Sequence, residues 1–272
     1  MTHVPELKNA VSTARTFLFV PGHRPDRFDK AAGSGADVVI LDLEDAVAPD
    51  RKAEARGHVK EWLEQGQEAV VRINAAGTPW HDDDLDAIGG RTSVVMVPKT
   101  ETLAHLQAVS RRLPTATGVI PLIETAVGIL RAAEVCAGTS VVRPAFGSVD
   151  LAAQLGVDHQ SYDALRHARS SLVLAAAAAG CPAPIDGVTT AMNDDTLLRS
   201  DIEHAIGLGY TGKLCIHPRQ VEIANRGFLP SDEEITWARG VVAAAEGSVT
   251  VHEGQMIDRP VVLRAQAILT RV

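Results

Sequence analysis

Short apolar, β-branched runs recur along the chain at Phe17–Val20, Val38–Leu43, Ala69–Ile73, Val94–Val97, Val119–Ile123, Val141–Phe146, Ala183–Ile185 and Leu214–Ile216. Several are continuously apolar instead of alternating, the pattern of strands buried on both faces of a parallel sheet. Helical periodicity fills the gaps. Asp50 is placed to cap a helix through Trp62 and Leu63, Thr100 one through Leu103, Leu106 and Val109, and Thr125 one through Ile129, Leu130 and Ala133. The longest helix is expected from Tyr162 to Ala179, stopped by Gly180 with Pro182 beyond. Another is expected from Thr196 to Leu208, ending at Gly209. Strand and helix alternating eight times predicts an α/β fold, a (β/α)8 TIM barrel. A doubly wound open sheet is the competing architecture, but no G-x-G-x-x-G follows the first strand.

The flanks are less regular. The opening MTHVPELKNAVSTAR lacks the apolar centre of a secretory signal and is expected to form a short leader strand or arm. Beyond the eighth unit, Ser231 and Glu234 have capping-box spacing and should open a helix through Trp237 and Val241. A strand-like Thr250–His252, a turn-like EGQMID and an apolar ending at Val261–Leu269 follow. The 272 residues fit one domain, with the barrel over about 16–228 and a C-terminal extension over 229–272. That extension is long enough to cover a barrel mouth or to bind a neighbour.

Composition narrows the function classes. A net charge of −8 and 4% aromatic residues leave no broad basic face or stacking platform for nucleic acid. No stretch approaches 18 consecutive apolar residues, so no membrane-spanning helix is expected. Cys136, Cys181 and Cys215 are widely spaced and odd in number, which argues against a disulfide framework and fits a reducing cytoplasm. Each is expected to act as a small buried hydrophobe.

In a barrel of this kind the chemistry sits where the strands end at their C-terminal edge. The ends read Asp42-Leu43-Glu44-Asp45, Arg72-Ile73-Asn74, Pro98-Lys99, Glu124, Gly147-Ser148-Val149-Asp150, Asp186-Gly187 and His217-Pro218. Titratable residues from seven strands therefore converge on one rim. Glu124 and Asp150 follow adjacent strands. Two carboxylates, completed by water and substrate oxygens, suit Mg²⁺; equally, Glu124 can favour the helix after Thr125 through its dipole, and Asp150 can cap the turn Leu151–Leu155. Arg72, between Val71 and Ile73, can hold a substrate carboxylate bidentately or form an ion pair with Glu44 or Asp45. Glu44 and Asp45 can act as a general base or orient Arg72. Asp42 faces away from Leu41 and Leu43 and is expected to be a structural hydrogen-bonding group. Arg24, Arg27 and Lys30 make a local basic patch suited to phosphates or to a solvated helix face. His81-Asp82-Asp83-Asp84 reads as the acidic first turn of a helix. His217 can serve as a ligand or acid, or simply as a satisfied rim histidine.

The strings FLFVPGHRPDRFDKA, DVVILDLEDAV, VVRIN, VPKTE, PLIETAVGI, FGSVDLAAQLG, CIHPRQ and EGQMIDRPVV span residues 16–262 in order. Together they resemble the HpcH/HpaI aldolase and citrate lyase beta-subunit superfamily, most closely its compact stand-alone members. The resemblance implies a Mg²⁺-dependent carbon–carbon lyase. Its substrates would be 3-hydroxyacyl thioesters of the citryl-, malyl-, citramalyl- or hydroxymethylglutaryl-CoA type, and its products an acyl-CoA and a keto acid. It assigns the metal to Glu124 and Asp150, the keto-acid carboxylate to Arg72, and places Glu44 and Asp45 beside the reacting groups. CoA phosphates would lie near Arg24, Arg27 and Lys30. Asp258 would act in a neighbouring subunit's site, so the resemblance implies a homotrimer or hexamer. A class II aldolase acting on free 2-keto acids, a malyl-CoA thioesterase-like hydrolase and a citryl-carrier-protein lyase subunit remain as alternatives.

Overall fold

The computed structural model describes residues 4–246, 251–252 and 255–271. Eight parallel strands close into a barrel: β1 (Thr16–Pro21), β2 (Val38–Asp42), β3 (Val70–Arg72), β4 (Val94–Val97), β5 (Gly118–Ile123), β6 (Ala145–Phe146), β7 (Ile185–Asp186) and β8 (Gly212–Cys215). β1 pairs with both β2 and β8, which completes the ring. The predicted α/β TIM barrel is what forms. β6 and β7 are shorter than their apolar runs suggest. Pro144 and Pro184 stand in those runs, and proline removes a ladder donor. Val141 keeps only an isolated bridge to Val119.

Inside the barrel one core cluster holds Phe17, Val38, Ile40, Val70, Val94, Met96, Ile120, Leu122, Ala145, Ile185 and Leu214. These are alternate residues along their strands, so the inward set continues upward from Val38 and Ile40 to Asp42, from Val70 to Arg72, and from Ile120 and Leu122 to Glu124. The barrel thus changes from hydrocarbon to charge within two residues at the ends of β2, β3 and β5.

Its other end is plugged. The expected leader strand or arm is instead a helix, α1 (Val4–Thr13). Leu7 and Val11 lie one turn apart on one face and join the barrel cluster with Ala14. Below them the buried Arg143 guanidinium donates to the carbonyls of Val11, Ala14 and Ala183 and to Thr211 Oγ1. Burial pulls its pKa down to about 9.

The outer helices are α2 (Phe28–Ala32), α3 (Lys52–Glu64), α4 (His81–Ile88), α5 (Leu103–Arg112), α6 (Ala126–Leu130), α7 (Ala132–Cys136), α8 (Ser148–Leu155), α9 (Tyr162–Ala179), α10 (Asp195–Leu208) and α11 (Pro218–Gly227). Several predicted caps hold. Thr125 accepts from Gly128 N, and Gly180 and Gly209 end α9 and α10 in left-handed backbone. Others shift. α5 is capped by Thr102 and not Thr100, whose buried hydroxyl donates to Val97 O. Asp50 lies inside a 3-10 turn (Pro49–Arg51) and caps nothing, because Pro49 already starts the turn after an extended Ala48. Asp150 sits in the first turn of α8 and is not its cap.

The chain divides into two compact units, residues 1–225 and 226–272. The second holds α12 (Asp232–Glu246), a hairpin of β9 (Val251–His252) and β10 (Gln255–Met256), and α13 (Arg259–Leu269). Ser231 and Glu234 exchange the two capping-box hydrogen bonds. Ala238, Val241, Ala265 and Ile268 form this unit's core. Asp258 caps α13 by accepting from Val261 N. Of the predicted strand and turn, Thr250, Glu253 and Gly254 lie outside the described residues.

Candidate active site

The strand register sets the first pair. Asp42 stands opposite Arg72 across β2 and β3, and both point inward. Arg72 donates to Asp42 through Nε at 2.7 Å and Nη2 at 2.6 Å. Its Nη1 lies 3.0 Å from Glu44 Oε2, and its guanidinium covers the Phe19 ring at 4.6 Å. Asp42 also accepts from the amides of Glu44 and Ala46. The ion-pair reading of Arg72 therefore holds for Glu44, while Asp42 takes the place expected for Asp45. Although burial opposes ionisation, Arg72 and the two amides keep the Asp42 carboxyl below its ordinary range.

Glu44 is buried and carries a raised pKa. Burial is the main cause, opposed by Arg72 and Lys99. The loop that presents it is fixed from beneath. Lys52 Nζ donates to the carbonyls of Leu43 and Glu44 and to Asn74 Oδ1. Asn74 in turn is held by the fully buried Asp84. Asp82 and Asp83 behave as the acidic first turn of α4, but Asp84 is an internal acceptor that also takes Arg56.

Glu124 is 2% exposed at the end of β5. Its Oε1 accepts from Lys99 N at 2.8 Å, and its pKa is pushed up to about 8 by burial first, then by repulsion from Glu44 and Asp150. Gly147 is required beside it. A Cβ there would stand 2.5 Å from Glu124 Oε2, so FGSVD admits no side chain at that point. Asp150, half-exposed on α8, shares with Glu124, Arg72, Phe19, Phe146 and Leu214 a cavity of about 60 Å³.

Lys99 completes the cluster and carried no assignment from its sequence position. Its φ of 50° makes it the one described non-glycine residue in left-handed backbone. Its ammonium lies 2.7 Å from Glu44 Oε1, 3.6 Å from Asp150 Oδ1 and 3.8 Å from Asp45 Oδ2. Four carboxylates (Asp42, Glu44, Asp45 and Asp150) thus meet the side chains of Arg72 and Lys99, and a fifth, Glu124, takes the Lys99 amide. The local excess of negative charge suits a small dication, and the donors are hard oxygens.

The remaining assignments separate. Arg24, Arg27 and Lys30 lie between β1 and the end of α2, on the same rim; Arg24 is held bidentately by Asp26, and Arg27 and Lys30 are exposed. Asp258 belongs to the second compact unit. Asp186 is no rim group; it is buried between Arg169 and Lys213. His217 Nδ1 accepts from Arg219 N. Cys136 and Cys215 are buried thiols with pKa values near 12, and Cys181 is half-buried.

A family model described as HpcH/HpaI aldolase/citrate lyase matches residues 15–218, from the start of β1 to the end of the last rim motif. The chain belongs to this family. A citrate lyase subunit beta-like protein of Mycobacterium tuberculosis is 40% identical over 264 residues, covering 94% of each chain. A (3S)-malyl-CoA thioesterase of Cereibacter sphaeroides is 34% identical over 268 residues, again 94% of each. The crystal structure of CitE from Mycobacterium tuberculosis, in complex with magnesium, acetoacetate and coenzyme A, superposes with a TM-score of 0.84. It is 37% identical and covers 96% of this chain and 98% of that one. Among the described residues no helix is long and apolar enough to cross a membrane.

Proposed function

We propose that the protein is a Mg²⁺-dependent carbon–carbon lyase that splits a 3-hydroxyacyl-CoA thioester into an acyl-CoA and a keto acid. The observation that carries this reading is the shared cavity of Glu124, Asp150 and Arg72, two carboxylates and one fork-shaped cation around a space of about 60 Å³. Among the described residues no three or more His, Cys, Asp and Glu side chains form a full protein cage. Two carboxylates that leave positions for water and substrate oxygens are the habit of Mg²⁺.

Once bound, the ion supplies Lewis-acid polarisation of the substrate oxygens. Arg72, already clamped by Asp42, offers a pre-set guanidinium to the carboxylate of the keto-acid half, which lowers the cost of orientation. Glu44 is the buried acid that touches both Arg72 and Lys99, and its raised pKa suits proton exchange with the substrate hydroxyl. Asp45, exposed at the same rim, and Asp258 of a neighbouring subunit are the other acids available for that transfer. Arg24, Arg27 and Lys30 hold the CoA phosphates. Retro-aldol cleavage removes the hydroxyl proton, forms the keto-acid carbonyl and leaves the acyl thioester as an enolate that is then protonated. The enzyme works as a cytoplasmic homotrimer or hexamer in which residues 229–272 serve a neighbouring site.

Incubating the purified protein with Mg²⁺ and a panel of 3-hydroxyacyl-CoA thioesters, with an EDTA control, tests this by mass spectrometry. EDTA-sensitive release of acetyl-CoA or propionyl-CoA with a keto acid is expected. The thioesterase relative supports one competing reading, hydrolysis, which would deliver free CoA and an intact hydroxy acid instead. No turnover of any CoA ester would overturn the CoA assignment.

A further inference from the structure

Lys99 touches the carboxylate cluster with both ends of the residue. Its amide donates to Glu124 Oε1 at 2.8 Å. Its ammonium reaches past Glu44, at 2.7 Å, to within 3.6 Å of Asp150 Oδ1. The left-handed backbone at φ 50° makes both contacts possible from one residue and is sparsely populated for a side chain with a Cβ. Conformations of this kind persist where the surroundings over-determine them. The ammonium is a compact point charge on a flexible stem, and its side chain is 39% exposed. It therefore has room to swing away from Asp150 while the amide stays on Glu124.

We propose that Lys99 is the cluster's internal counter-ion and competes with the divalent cation for Asp150. In the metal-free protein it partly neutralises Glu44, Asp45 and Asp150. When the cation arrives on Glu124 and Asp150, the ammonium retreats to Glu44 alone. Two positive charges cannot share one carboxylate edge without repulsion. Lys99 thus lowers metal affinity. This rests on the reading that Glu124 and Asp150 hold the metal.

The test is isothermal titration of the full-length, EDTA-stripped protein with Mg²⁺ alone, comparing wild type, Lys99→Met, Lys99→Gly and Asp150→Asn. Lys99→Met removes the charge at near-constant shape. Lys99→Gly suits the left-handed backbone and keeps the amide on Glu124, so it guards against misfolding of the first variant. Both should bind Mg²⁺ about tenfold tighter than wild type, while Asp150→Asn abolishes binding. Unchanged or weaker affinity in both Lys99 variants overturns the competition. If Asp150→Asn binds like wild type, or wild type binds no Mg²⁺, the metal assignment itself falls and takes this inference with it.

Discussion

Asp42 and Arg72 face each other in register across β2 and β3 and are joined by two hydrogen bonds of 2.7 and 2.6 Å. Asp42 is fully buried. Breaking a buried pair by removing one charge costs about 3–5 kcal/mol, and Arg72 would keep only Glu44 at 3.0 Å. Asp42→Asn should lower the unfolding free energy in urea by that order. Asp45→Asn, with its side chain 59% exposed, should change it by less than about 0.5 kcal/mol. Equal stability of the two variants would show that the pair contributes nothing to the fold.

Arg72→Lys keeps a charge but loses the fork that grips Asp42 and the substrate carboxylate. Cleavage should fall by roughly a hundredfold in kcat/KM, with the circular dichroism spectrum unchanged. Retained activity in this variant would remove Arg72 from substrate binding.

Glu124 provides a pH test. Its folded pKa, near 8, lies above the ordinary value of 4.5, so the folded state holds the extra proton. The corresponding stability is fully present below about pH 4.5 and is lost as pH rises through 8. In EDTA, wild type should lose up to about 5 kcal/mol across this window relative to Glu124→Gln, which mimics the protonated form. Parallel stability curves for the two proteins would contradict the raised pKa.

Much of this arrangement was legible along the chain. The continuous runs of β2, β4 and β5 made the barrel readable, and Glu124 and Asp150 stood out because each follows an apolar run. The rest depends on pairing in space. Asp42 was expected to be structural, but its partner is set by the register of β3. Lys99 looked like any polar residue after a strand; its reach to Glu44, 55 positions earlier, follows from a left-handed turn that no local pattern announces. Lys52 lies on α3, and its inward bonds to the carbonyls of Leu43 and Glu44 follow from the packing of that helix under the β2 loop. The opening helix has a signal in the sequence, Val4, Leu7, Val11 and Ala14 at spacings of three and four, which a reading of the segment as a leader strand or arm overlooks.

Gly147→Ala should act on the metal site with little effect elsewhere. The new methyl would collide with the Cβ and a carboxylate oxygen of Glu124, so that side chain must shift. Overpacking of this kind costs about 1–3 kcal/mol. Mg²⁺ titration should show weakened binding while the barrel still folds. Full Mg²⁺ affinity in this variant would mean that Glu124 is not a ligand.

The basic segment offers a test that separates phosphate binding from chemistry. Arg24 is already held by Asp26, so a phosphate must displace that carboxylate, whereas Arg27 and Lys30 are exposed. Converting all three to Ser should raise KM for a CoA thioester about tenfold or more, with kcat nearly unchanged, because uniform binding is removed without touching the reacting atoms. The same substrate carried on pantetheine, which lacks the nucleotide phosphates, should be cleaved equally well by wild type and variant. If the variant loses as much with the pantetheine ester as with the CoA ester, the segment supports the barrel rim and does not read the cofactor's phosphates.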